Sequence, residues 1–316
     1  MSRADQTEAE RDGSTVAVVV ALAANVGIAV AKLVGFVVTR SSSMGSETVH
    51  SFADCGNQLL LLLGANRARR QPNDEHPFGF GAERFFWGFF VAVVLFVLGA
   101  GFAATDGIDK VVHPHSPDQP AIGLGILALA VVLESLSLRT GLREANKVRH
   151  GLSWLGFVKH TKSPDLALVL MEDVAALIGL FVALLGIGVS AATGDGVFDG
   201  MASLVIAALL ATVALVLGRE MHSLLVGEAA ADADQEAIRK AILSVEEFDR
   251  VIHLRTQHLG PDELLVAVKV AAGPADTLLD LSRAVDRAEE LIRAAVPSAH
   301  YVFVEPDVDR GMVADA

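Results

Sequence analysis

Six apolar segments, at about 15–38, 46–66, 85–105, 120–138, 165–192 and 197–217, run through the first two-thirds of the chain. Each is close to the roughly 20 residues that a helix needs to cross hydrocarbon, where a backbone must satisfy its own hydrogen bonds. The segments are therefore read as six membrane-spanning helices. Apolar residues make up 52% of the 316, more than an ordinary pair of soluble domains carries. The first fourteen residues are polar and of mixed charge, and the apolar run after them is too long and wrongly flanked for a cleaved signal peptide. Residues 1–14 are expected to be a cytoplasmic tail and 15–217 a six-helix transmembrane domain.

Orientation follows from the basic residues. Arg67, Arg69, Arg70 and Arg84 lie between segments two and three, and Arg139, Arg143, Lys147, Arg149, Lys159 and Lys162 between four and five. Those loops are read as cytoplasmic, and an even number of spans then puts both termini inside. The opposite loops hold Arg40, then Lys110 among Asp106, Asp109 and Asp118, then Asp195. With no organelle-targeting presequence evident in the polar start, a cell membrane is expected, the Arg67 to Arg70 cluster meeting anionic lipid headgroups or simply setting topology. A net charge of -13 excludes a nucleic-acid binder held by phosphate neutralisation and makes cations the expected partners. The lone Cys55 excludes an intrachain disulfide and a Cys-rich zinc site.

Beyond about residue 218 charged and apolar residues alternate, the mark of a soluble module, expected over 228–316. Ile238, Ala241, Ile242 and Val245 recur at helical spacing, as do Leu278, Leu281, Val285, Ala288, Leu291 and Ala295. Strands are read at 251–259, 264–270 and 300–304, the first two joined by a turn at Gly260-Pro261-Asp262. The order αββαβ predicts a small ferredoxin-like α+β domain with helices on one face of an antiparallel sheet.

Acidic or His side chains inside the apolar runs are read only in segments two, five and six. In segment two, Glu47, His50, Asp54 and Asn57 fall at spacings of three, four and three, on one helical face. An ionised Asp at the bilayer centre costs about 2.5–3.5 kcal/mol, so it demands a partner or a use. Imidazole nitrogen with carboxylate oxygen suits a borderline divalent ion such as zinc; an interhelical hydrogen-bond cluster is the alternative. In segment five Glu172 and Asp173 stand side by side, about 100° apart on a helix, so one is read as a ligand. The other is expected to pair with Lys32 of segment one, unless that lysine snorkels to the interface. No HEXXH helix is present, and no Ser or Cys nucleophile is paired with a His in one span, which argues against an enzyme.

The stretch HSFAD from His50, the run HPFGFGAERFFWGFFVAVVLFVLG from His76, LMEDVAALIGL over 170–180 and GVFDGMASLVIAALL from Gly196, with the six-span-plus-tail layout, resemble the cation diffusion facilitator family of zinc transporters. The branch most resembled is that of the zinc transporter nine-like proteins. The resemblance covers nearly the whole chain. It implies a homodimeric antiporter exporting a divalent cation, zinc first, from the cytoplasm in exchange for protons, with no resident cofactor. The family's ligands fall on His50, Asp54 and Asp173. A fourth, a His four residues before that Asp, is here the apolar Val169, so Glu172 first, or Glu47, Asn57 or water, is expected to complete the site. A more oxygen-rich site also admits manganese or iron(II). A channel or sensor without proton coupling is the other reading of the same ligands. His253, His258 and His300 of the tail are read as weak candidates for a regulatory metal, His113 and His115 as a solvated turn, and His76 as shaping its loop.

Overall fold

The computed structural model describes residues 25–148, 164–261, 263–273 and 277–307. The expected N-terminal tail, Arg149, Lys159, Lys162 and the turn residue Asp262 lie outside these residues. Among those described, six helices fall on the six apolar segments: α1 (Asn25–Thr39), α2 (Ser42–Ala68), α3 (Glu83–Val112), α4 (Pro120–Val148), α5 (Pro164–Thr193) and α6 (Val197–Val226). The last four are long and apolar enough to cross a membrane. α1 is described only from Asn25, and α2 carries the polar stripe of Glu47, His50, Asp54 and Asn57 along its 27 residues.

Local chemistry sets the ends of these helices. The hydroxyl of Ser41 accepts from the Met44 amide at 3.1 Å and so caps α2. Pro120 and Pro164 occupy first-turn positions, where a missing N–H is no loss. Gly194 and Gly227, at φ of 75° and 117°, stop α5 and α6 in a conformation that side chains resist. Midway along α3, Leu95–Ala100 winds as a π-helix, flanked by right-handed α conformation at Val94 and Gly101.

The chain divides into two compact units, one built on Met1–Leu63 and Trp87–Glu220, the other on Gly64–Phe86 and Met221–Ala316. Within the first, Met44, Leu95, Leu127, Leu180, Ile187, Ile206 and Leu210 form the core shared by the spans. The second holds α7 (Asp232–Leu243), β1 (Phe248–Gly260), β2 (Glu263–Ala272), α8 (Leu278–Ala295) and β3 (Tyr301–Asp307). Ile238, Ile242, Ala284, Ala288 and Ile292 of the helices pack on Leu264, Val266, Val268 and Val270 of β2. Thr277 caps α8 by accepting from the Asp280 amide at 3.2 Å.

The sheet, in the order β1-β2-β3, differs from the expected antiparallel one. β1 and β2 are an antiparallel hairpin, but β3 runs parallel to β2, from Leu265 beside Tyr301 to Ala271 beside Asp307. The reason is the connection: α8 returns the chain to the starting end of β2, and a helical crossover joins parallel neighbours.

The α2–α3 connection belongs to this second unit and explains the HPFGFG run. The His76 amide bonds to Asn73 Oδ1 at 2.7 Å, and its ring lies 4.4 Å from that of Phe80. Phe78 meets Tyr301 edge to face at 5.2 Å. A Cβ on Gly81 would sit 2.6 Å from the Leu259 carbonyl and 2.9 Å from Gly260 Cα, so glycine alone fits. His76 thus shapes its loop, as its place beside Pro77 suggests.

Candidate functional site

The polar stripe of α2 faces inward. Glu47 and Asn57 are fully buried, His50 is 2% exposed and Asp54 half-buried. A single turn separates His50 from Asp54, and Nδ1 lies 3.5 Å from Oδ1 without a hydrogen bond. Both ring nitrogens of His50, Asp54 Oδ1, Asn57 Oδ1 and Gln58 Oε1 are buried with no partner among the described residues. Buried polar atoms are rarely left this way, because each loses its hydration for nothing.

Of these residues, Asp54 and Gln58 border a cavity. Its walls are Asn25 and Ile28 of α1, Ser51, Asp54 and Gln58 of α2, Glu134 of α4, and Glu172, Asp173 and Ala176 of α5. Glu172 and Asp173 therefore both line it, although adjacent helical side chains diverge. Each is anchored differently: Asn57 Nδ2 donates to Glu172 Oε1 at 3.1 Å, and Ser137 Oγ donates to Asp173 Oδ2 at 3.1 Å. Among the described residues, no three of His, Cys, Asp and Glu converge closely enough to hold a metal ion as they stand. Val169 lies in the backbone of α5, but its side chain is outside the described set.

Lys32 departs from expectation. Its ammonium is wholly buried and lies 3.1 Å from Glu47 Oε2, with Ser51 Oγ accepting at 2.7 Å. Its partner is thus on α2, not Glu172 or Asp173. The pair neutralises Glu47 on one oxygen, while Oε1 has no hydrogen bond and lies where a Cβ on Gly179 of α5 would be. Spacing along one helix cannot say which neighbour a side chain meets, and that is why the partner was misread.

Glu134 was overlooked because it is a lone acid near the end of an apolar run, whereas the other carboxylates stand beside a second polar group. The signal was available: one acidic residue inside a span is a functional candidate by itself.

A second polar cluster gathers at the start of α2. Asp199 of α6 accepts from Ser41 Oγ and the Ser42 amide at 2.8 Å, from the Ser43 amide at 3.2 Å, and from the Ser43 hydroxyl. Lys110, expected in a loop, is instead buried in the last turn of α3, 3.0 Å from Asp199 Oδ2 and donating to the Arg40 carbonyl at 2.9 Å. The hydroxyls of Ser46 and Ser203 bond next to it, and Ser203 donates to the Ala103 carbonyl at 3.0 Å.

Comparison with known proteins gives two family matches, the cation efflux transmembrane domain over residues 18–226 and the cytoplasmic domain of cation efflux proteins over 230–307. The mitochondrial proton-coupled zinc antiporter SLC30A9 of Xenopus laevis is 34% identical over 70% of this chain and 40% of its own length. Metal tolerance protein C4 of Arabidopsis thaliana is 28% identical over 68% of this chain and 48% of its own. The chain thus spans less than half of either relative. An uncharacterized transporter of Methanocaldococcus jannaschii is 22% identical over 77% of this chain and 81% of its own.

Proposed function

The chain belongs to the cation efflux family, the cation diffusion facilitators, on the branch of its SLC30A9 relatives, and on that premise we propose that it exports a divalent cation, zinc first, from the cytoplasm in exchange for protons. It is a multi-pass integral membrane protein of a transporter family, not an enzyme. The observation that carries the proposal is His50: a buried imidazole with both nitrogens unpartnered, 3.5 Å from a carboxylate on the wall of a four-carboxylate cavity. His50, Asp54, Asp173 and Glu172 are the proposed ligands, with Asn57 holding Glu172 in place and Glu47 kept in position by Lys32. The ion is held when α2 and α5 close on it.

Proton exchange is supported by the SLC30A9 relatives, which are proton-coupled zinc antiporters, and by ligand chemistry. Imidazole binds metal only when neutral, so loading the ion releases protons and protons displace the ion. The helices rock between inward and outward states around the loaded site. An exporter of manganese or iron(II) is the second reading, favoured by a cavity with four carboxylates and one neighbouring imidazole.

The cytoplasmic domain is proposed to join two copies in a homodimer, which the mass of the detergent-solubilised full chain tests. We place the protein in the cell membrane with both termini cytoplasmic. The SLC30A9 relatives are mitochondrial, so fractionation of expressing cells is the check.

Purified protein in liposomes with an imposed pH gradient tests the function, following zinc, manganese and iron(II) for wild type and Asp54→Ala. Zinc uptake that needs both the gradient and Asp54 is the expected result. Gradient-independent flux would indicate a channel. Intact uptake in Asp54→Ala and in Asp173→Ala would overturn the site.

A further inference from the structure

Glu134 stands on a helix that otherwise turns outward. Leu129, Val132, Leu133 and Leu136 of α4 are exposed, and 17% of its most apolar window is buried. In a bilayer those leucines and valine face lipid, so an acid among them must turn toward protein or water. Glu134 does, lining the cavity with Asp54, Glu172 and Asp173. Among the described residues it has neither a hydrogen-bond nor an ion-pair partner. Its half-buried carboxylate is thus turned to the cavity rather than to a neighbouring side chain.

The position follows from how α4 lies on α5. Ser137 bonds to Asp173 at 3.1 Å, and a Cβ on Gly141 would come within 3.0 Å of Leu170. Residues 134, 137 and 141 fall on one helical face. Two antiparallel helices with 141 beside 170 and 137 beside 173 bring 134 level with Ala176, which borders the same cavity. On the same cavity, Asp54 Oδ1 and Gln58 Oε1 are buried atoms without a hydrogen-bond partner among the described residues, and the neighbouring His50, 2% exposed, has none for either nitrogen.

We propose that Glu134 is a cation ligand of the transport cavity, an oxygen donor from a third helix beside those of α2 and α5. The assignment rests on the cation-export reading and adds to it a determinant of metal choice. Each added carboxylate shifts the donor set from nitrogen toward oxygen, which manganese accepts more readily than zinc requires. Removing the charge while keeping the size is then expected to weaken capture of both ions and to move the preference toward zinc.

The test uses the full chain in liposomes, measuring zinc and manganese uptake under a pH gradient for wild type, Asp54→Ala, Glu134→Gln and Glu134→Leu. In Glu134→Gln the KM for zinc is expected to rise roughly tenfold and that for manganese further. Glu134→Asp should recover part of the loss. If Glu134→Gln fails to fold, Glu134→Leu, which suits hydrocarbon, is expected to show the same change. Uptake that needs Asp54 but keeps its wild-type KM and zinc-to-manganese ratio in the folded Glu134 variants would overturn this assignment alone. A wild type that moves no ion and matches Asp54→Ala would overturn the export reading, and Glu134 with it.

Discussion

The same helix takes part in two buried polar clusters that differ in how completely they are bonded. At the start of α2, the carboxylate of Asp199 meets Ser41, two backbone amides, Ser43 and Lys110, and neither oxygen is left over. Three turns on, His50, Asp54 and Asn57 have buried nitrogens and oxygens with no hydrogen-bond partner among the described residues. A satisfied network inside a membrane domain holds helices together, whereas an unsatisfied one is a position kept for something else. The first cluster joins α2, α3 and α6; the second keeps a cavity polar between α1, α2, α4 and α5.

The contrast breaks most visibly at Lys110. Lys110→Met leaves Asp199 buried without its counter-charge and is expected to cost about 3–5 kcal/mol, read as a fall in the thermal unfolding midpoint in detergent. His50→Leu, by contrast, removes two unpaired nitrogens and should lower stability by less than ~1 kcal/mol while abolishing zinc uptake. Comparable stability losses in the two variants would show that the clusters are alike after all. At the border of the second cluster, Gly179→Ala pushes a methyl onto Glu47 Oε1 and should cost about 1–3 kcal/mol by overpacking, measured the same way. In the cytoplasmic unit, Thr277→Ala removes the cap of α8 and should cost about 1 kcal/mol.

The smallest effect is expected at the surface. The hydrogen bond from Arg287 holds the Glu247 carboxyl below its ordinary range. A carboxyl lowered in the folded state contributes above its unfolded pKa, and that contribution is lost as pH falls through the folded value. The unfolding midpoint should therefore drop slightly on acidification in wild type and less in Arg287→Ala. An identical acid profile for the two would remove this contact from consideration.

Periodicity along one chain segment reveals which face is polar, and for α2 that was enough: Glu47, His50 and Asn57 are buried and Asp54 half-buried. The helices of the cytoplasmic unit were legible for the same reason, with Ile238, Ile242, Ala288 and Ile292 in its core. What could not be read were relations between segments. Lys32 chose Glu47 because α1 lies against α2 at that level, and β3 chose a parallel neighbour because α8 crosses over. Lys110 looked like a loop charge until α3 was seen to continue through Val112 and bury it. Glu134 differs, since its position in an apolar run was plain and only its isolation disguised it.

The π-helical turn in α3 has a consequence for comparing related chains. Its hydrogen bonds close one residue later than those of an α-helix, so Leu95–Ala100 holds one residue more than the same rise otherwise takes. A relative that lacks that residue keeps both halves of the helix on their original faces. Aligned to this chain, it opens a one-residue gap in the middle of a span, where gaps are normally taken as errors, and here the gap is the correct correspondence.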